Sequence, residues 1–223
     1  MSTFIIGISG SAGAGKNTVA DHIIAKYGRK TLPVPLAPDD LRWGMDVRQY
    51  ALADALKIET YDLLAAADFY SYRSGFLVSN RPQPRWNEAR TDAEKIAWVN
   101  ANKNDLRKML QLGGTEWRRA QEPDYWVNRL LERIAEDSPQ IAVITDVRFE
   151  NELAICHAAV KVEQIGQIGQ VEDPAVASHV SEREWRKHDF RDNVIRAAKG
   201  DLETLQRESE RVFEQILTRF HVQ

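Results

Sequence analysis

Cysteine is nearly absent from this chain. Cys156 is the only one among 223 residues, so no disulfide can form within it, and a reducing compartment is expected. Long apolar runs are missing as well: no stretch is long enough to span a bilayer or reads as a secretory leader, so a soluble cytosolic protein without membrane contact is expected. Nor is there an excess of positive charge. Thirty Lys and Arg stand against 33 Asp and Glu, a net charge of −3, which argues against a general nucleic-acid binder and makes a nucleotide monomer a better partner than a polymer. His179 has no neighbour at metal-ligand spacing, which disfavours zinc. Neither a Ser-His-Asp set nor an internal repeat is evident. The length suits one α/β domain with an insertion.

What the chain does have is a phosphate-binding signature near its start. Gly10-Ser11-Ala12-Gly13-Ala14-Gly15-Lys16-Asn17-Thr18 follows the apolar run Phe4-Ile5-Ile6-Gly7-Ile8 and precedes Val19-Ala20-Asp21-His22-Ile23-Ile24. That is a strand, a glycine loop and a helix, the helix marked by Ala20, Ile23, Ile24 and Tyr27 at i, i+3, i+4 and i+7. Small residues let successive N–H groups turn inward around a phosphate, at the positive end of the helix that follows. The spacing from Gly10 to Gly15-Lys16 fits G-x-x-x-x-G-K, with Lys16 as a mobile cation for the β- and γ-phosphates. Asn17 stands where most such loops put Ser or Thr, and the hydroxyl comes next, at Thr18. That order resembles the nucleoside monophosphate kinase variant of the loop.

The rest reads as alternating strands and helices. Lys30 to Ala37, interrupted by Pro33 and Pro35, is an edge strand or a loop. Met45 to Leu52 is a strand, and Ala53 to Leu64 a helix with Leu56, Leu63 and Leu64 inward. Tyr70 to Trp86, with Pro82 and Pro84, is a loop. Residues 91–112 are helical, with Leu106, Met109 and Leu110 on one face and Arg107, Lys108 and Gln111 beside it. After the break at Gly113-Gly114, a helix starts at Pro123-Asp124 and buries Trp126, Leu130, Leu131 and Ile134. Gln140 to Thr145 reads as a central parallel strand that ends at Asp146, which should therefore lie near the phosphate loop, where its carboxylate could hold Mg²⁺ or cap a helix. Arg148 and Glu152 share a face if the following segment is helical. Val160 to Ile165 is a strand, residues 164–183 are a lid candidate, and Phe190 to Ile195 is the last strand. Asp201 caps a terminal helix that turns Leu202, Leu205, Val212, Phe213, Ile216, Leu217 and Phe220 inward.

Several blocks in order resemble the deoxynucleoside monophosphate kinases of large tailed phages, within the P-loop kinase superfamily. They are Gly10 to Thr18, Ala53-Asp54-Ala55-Leu56-Lys57, Arg107 to Gln111 with Gly114 to Arg119, Pro123-Asp124-Tyr125-Trp126, Asp146-Val147-Arg148-Phe149-Glu150-Asn151-Glu152 and His179-Val180-Ser181-Glu182. The resemblance implies a P-loop kinase fold: a mostly parallel sheet of about five strands flanked by helices, with a helical acceptor-binding insertion and a short lid. The whole chain, 1–223, would be one kinase domain, its core at about 1–65 and 138–223 and its insertion at about 66–137. The implied activity is transfer of the ATP γ-phosphoryl group, with Mg²⁺, to a deoxynucleoside 5′-monophosphate. Residues implied for ATP are Gly13, Ala14, Gly15, Lys16, Asn17 and Thr18; for the metal, Thr18 and Asp146. Lys16, Asp146, Arg148 and Glu152 would serve the transfer, and Arg107, Lys108, Gln111, Gly114, Thr115, Arg119 and Trp126 the acceptor. Many relatives have Asp where Asn17 stands, and Arg196 to Gly200 replaces an Asn-Asp-Gly turn. Kinases of the dephospho-coenzyme A or phosphomevalonate kind, or a non-catalytic nucleotide switch, are the competing readings. Dimerisation is left open.

Overall fold

The computed structural model describes residues 2–11, 13–28, 44–74, 84, 88–112, 117–165 and 185–222. They fall in two compact units, Met1–Ala51 with Glu132–Gln223, and Leu52–Leu131.

The first unit is built on five parallel strands: β1 (Phe4–Ser9), β2 (Val47–Tyr50), β3 (Ile141–Ile144), β4 (Ala158–Ile165) and β5 (Val194–Ala198), in the order β2-β3-β1-β4-β5. β1 is central, with Ile6 opposite Val143 on one side and Ala158 on the other. All of β3 is buried, which is why its text is a continuous apolar run and not an alternation. The order reverses at β1, and in open parallel sheets the crevice at such a switch, beyond the strands' carboxyl ends, is where ligands bind. The glycine loop leaves β1 at that end.

Helix α1 (Lys16–Tyr27) follows the loop. Its Val19, Ala20 and Ile23 join Ile6, Ile8, Val143, Val160 and Val162 of the sheet in one core with Val212, Phe213 and Ile216 of the C-terminal helix Leu202–Phe220. Each aliphatic side chain so buried contributes roughly 1.5–3 kcal/mol. The Tyr27 and Phe213 rings meet at 4.8 Å, and the Tyr27 hydroxyl donates to Glu214 at 2.9 Å.

The second unit holds α2 (Leu52–Ser74), α3 (Asp92–Ala101), α4 (Lys103–Gln111) and α5 (Arg118–Gln121). Helix α6 (Tyr125–Asp137) begins in this unit and ends in the first; α7 (Glu150–Ala154) and the C-terminal helix, α8, belong to the first. Tyr61, Leu64, Ala65, Ala89, Val99 and Leu106 form the second unit's core, with Trp98 edge-on to Tyr61 at 5.6 Å. No helix among the described residues is long and apolar enough to cross a membrane.

Several boundaries differ from those read in the sequence. With no glycine or proline before Gly75, α2 runs on to Ser74, into the stretch read as a loop, and Leu63 lies exposed while Tyr61, Leu64 and Ala65 make the inward face. The helix expected over 91–112 breaks at Asn102, whose side-chain amide donates to the Trp98 carbonyl at 2.9 Å and competes with the backbone ladder. The last strand starts at Val194 because a turn precedes it: Arg191 is left-handed (φ 50°), and its N–H donates to Asp189 at 2.9 Å. Asp201 does cap α8, accepting from the Thr204 N–H at 3.0 Å, but Leu202 and Phe220, at 56% and 42% exposure, face outward. Residues 30–37 and almost all of the stretch read as a lid lie outside the described residues.

Candidate active site

The loop's shape follows from its glycines. Gly10 has φ 148°, and a Cβ there would stand 2.5 Å from the Val162 carbonyl oxygen, so only glycine fits. Gly13 (φ 78°) and Gly15 (φ 96°) are left-handed, and Gly15 begins α1 without a side-chain cap. No acidic residue occupies the first turn, so the positive end of the helix is open to an anion. The Lys16 ammonium donates to the Gly10 and Ser11 carbonyls, both at 2.8 Å, and the Ala14 N–H reaches the same Ser11 oxygen at 3.2 Å. Two donors thus converge on one oxygen, an arrangement that a phosphate oxygen can take over. Asn17 and Thr18 follow on the exposed first turn of α1.

The segment after β3 runs beside the start of this loop. Buried Ser9, the last residue of β1, donates its hydroxyl to the Val147 carbonyl at 3.0 Å, tying the residue before Gly10 to the residue after Asp146. Asp146 and Arg148 are half-buried. Asp146 is not a helix cap, because the N-cap of α7 is Phe149. Glu152, expected on a common face with Arg148, is 2% exposed, and its carboxylate accepts the backbone N–H groups of Arg148 at 2.6 Å and Phe149 at 3.1 Å. Cys156 donates its thiol to the Glu152 carbonyl at 3.3 Å; burial, helped by the charge of Glu152, pushes that thiol up to about 12. The thiol packs where Gly7 leaves room, since a Cβ on Gly7 would stand 2.5 Å from its sulfur.

In the second unit Arg107 and Gln111 are exposed on α4, and Arg119 is half-buried. Trp126 is buried, edge-on to Tyr125 at 4.8 Å. Arg118 donates to Glu59 at 3.1 Å and its guanidinium lies over the rings of Trp117 (4.6 Å) and Tyr125 (4.9 Å). The Tyr125 hydroxyl donates to the other Glu59 oxygen, and that bond first, with burial, raises the phenol's pKa. Glu59 is a residue that sequence reasoning missed: it is one of several acidic residues on α2, and its basic partner lies 59 residues away, so nothing beside it in the sequence marks it. Gly114, Thr115, the side chain of Lys108 and His179 lie outside the described residues. Among the described residues no three His, Cys, Asp or Glu side chains form a metal-binding group.

No protein-family model matches the chain. It is 32% identical to the deoxynucleoside-5′-monophosphate kinase of Escherichia phage T5 in an alignment of 177 positions that covers 66% of this chain and 69% of that protein. The crystal structure of TT1252 from Thermus thermophilus is similar at a TM-score of 0.45 and 17% identity, covering 96% of this chain and 98% of that one.

A parallel α/β sheet whose central strand runs into a glycine loop and a lysine-led helix defines the class: a nucleotide-binding protein of the P-loop kinase fold. Within that class, the chain belongs to the deoxynucleoside-5′-monophosphate kinase family, and it is an ATP-dependent kinase.

Proposed function

We propose that this kinase transfers the γ-phosphoryl group of ATP to deoxynucleoside 5′-monophosphates and releases the diphosphates. The observation that carries the donor half is the convergence of Lys16 Nζ and the Ala14 N–H on one oxygen inside a loop of left-handed glycines. The acceptor half is supported by the kinship with the phage enzyme.

On this reading Gly13, Ala14, Gly15, Lys16, Asn17 and Thr18 hold the donor phosphates, and binding moves Lys16 from the Gly10 and Ser11 carbonyls to phosphate oxygens. The oxygen donors available for Mg²⁺ are the Thr18 hydroxyl, exposed on α1, and the Asp146 carboxylate beyond β3. A hard ion that keeps several waters and takes other ligands from phosphate fits so small a donor set. Bound there, Mg²⁺ would neutralise charge on the phosphates. The attacking oxygen needs no general base, because a nucleotide phosphate with a second pKa of about 6 is mostly dianionic at neutral pH. Arg148 supplies positive charge to the transferring group. Glu152 serves as a positioning residue that fixes the backbone of Arg148. Arg107, Lys108, Gln111, Gly114, Thr115 and Arg119 bind the acceptor, and buried Trp126 forms the wall behind it.

A coupled ADP-release assay with Mg²⁺-ATP tests this reading, run against the four deoxynucleoside monophosphates, their ribonucleotide counterparts, dephospho-coenzyme A and phosphomevalonate. Turnover with one or more deoxynucleotides is expected, and Lys16→Ala should lower kcat on the order of 10²–10³-fold while leaving the fold intact. Turnover with only the other acceptors, or full activity in Lys16→Ala, would overturn the assignment.

A further inference from the structure

β4 passes the phosphate loop on its way out of the sheet. Its alternate residues Ala158, Val160 and Val162 are buried in the core shared with α1 and α8, and Gln164 continues that face as a polar residue. At Gly10 the Val162 carbonyl presses on the loop, and on the other side Leu205 of α8 stands 3.3 Å from where a Gly15 Cβ would be. Between these walls the tip at Gly13 has nothing within 4 Å of its missing Cβ. What reaches it is the Gln164 side-chain amide, which donates to the Gly13 carbonyl at 3.0 Å.

We propose that Gln164 is a positioning residue for the donor phosphates; this role rests on the donor site described above. A peptide carries its C=O and N–H in opposite directions. Holding the Gly13 carbonyl toward β4 therefore keeps its negative end out of the cradle and turns the N–H of the same peptide, that of Ala14, toward the Ser11 oxygen shared with Lys16. Glycine has little torsional preference of its own, so without the amide this peptide can turn over and present a carbonyl to the phosphates. The sequence signal is a glutamine that interrupts a strand face otherwise made of Ala and Val.

The test compares the parent with Gln164→Leu, which loses the donor, and Gln164→Glu, which keeps the size but sets a carboxylate against the Gly13 carbonyl. ATP affinity by calorimetry, without acceptor, is expected to fall roughly fivefold in Gln164→Leu, the loss of about one hydrogen bond, and further in Gln164→Glu. The KM for ATP should rise in step, with the acceptor KM and the urea midpoint of the nucleotide-free protein unchanged. ATP affinity within twofold of the parent in both variants would overturn Gln164's role, as would equal rises in both KM values. A parent that binds no ATP would overturn the donor-site reading and Gln164's role together.

Discussion

The Glu152 carboxylate and the backbone N–H of Arg148 are 2.6 Å apart, and the same carboxylate oxygen also accepts from Phe149. A buried carboxylate is thereby satisfied by backbone at the N-terminus of α7, where negative charge is favoured. Glu152→Ala should cost about 1–2 kcal/mol in urea unfolding, the usual loss of a helix cap. It should also lower kcat more than it raises either KM, because Arg148 loses its fixed backbone. Unchanged kcat in a destabilised variant would leave Glu152 with a structural part only.

Gly10 and Gly13 should respond differently to alanine. At Gly10 the added methyl meets the Val162 carbonyl oxygen at 2.5 Å as well as an unfavourable φ, whereas at Gly13 only the positive φ is opposed. Gly13→Ala is expected to lose about 1–2 kcal/mol, the ordinary cost of a left-handed L-residue. Gly10→Ala must lose more, since β4 or the loop has to shift. Thermal unfolding of both variants without nucleotide checks the order; equal midpoints would mean that β4 gives way freely.

In the adjacent pair Arg118 and Arg119, Arg118 is held by Glu59 and stacked on Trp117 and Tyr125. Arg118→Ala should therefore act on stability, by about 1–2 kcal/mol for a charge-assisted bond discounted for partial exposure. Arg119→Ala should act on the acceptor KM with that for ATP unchanged. Steady-state kinetics beside urea unfolding separates the two effects, and an acceptor KM raised more by Arg118→Ala than by Arg119→Ala would reverse the assignment.

What could be read from the text was whatever depended on local chemistry. The run Phe4 to Ile8, the glycine spacing up to Lys16 and the β-branched stretch ending at Asp146 each state their own conformation, and together they imply a parallel sheet with the loop at its carboxyl end. The Asp201 cap was legible for the same reason. Long-range contacts were not. Nothing local to Gln164 says that it meets Gly13, 151 residues away, or to Glu59 that it holds Arg118. Element ends failed where a single side chain decides them, as Asn102 does between α3 and α4. The extent of α2 is set by the absence of any breaker before Gly75, while Pro82 and Pro84 lie too far downstream to mark its end.

The helix that carries Lys16 is itself clamped by charge. Glu210 of α8 accepts from His22 at 2.9 Å and pairs with Lys26, both on α1, and Lys26 first, then His22, holds its carboxyl below the usual carboxylate range. A folded-state pKa below the unfolded one means that the pair adds stability above the unfolded value of about 4.3, and that this is lost as pH falls through the folded value. Glu210→Gln should therefore have a lower urea midpoint than the parent at pH 7, and the gap should close on acidification below pH ~4. The same variant should show the gap shrinking at 1 M salt, because the pair is partly exposed and ions screen it. A gap that is constant from pH 7 to pH 3 would mean that the charge of Glu210 is not what holds α8 to α1.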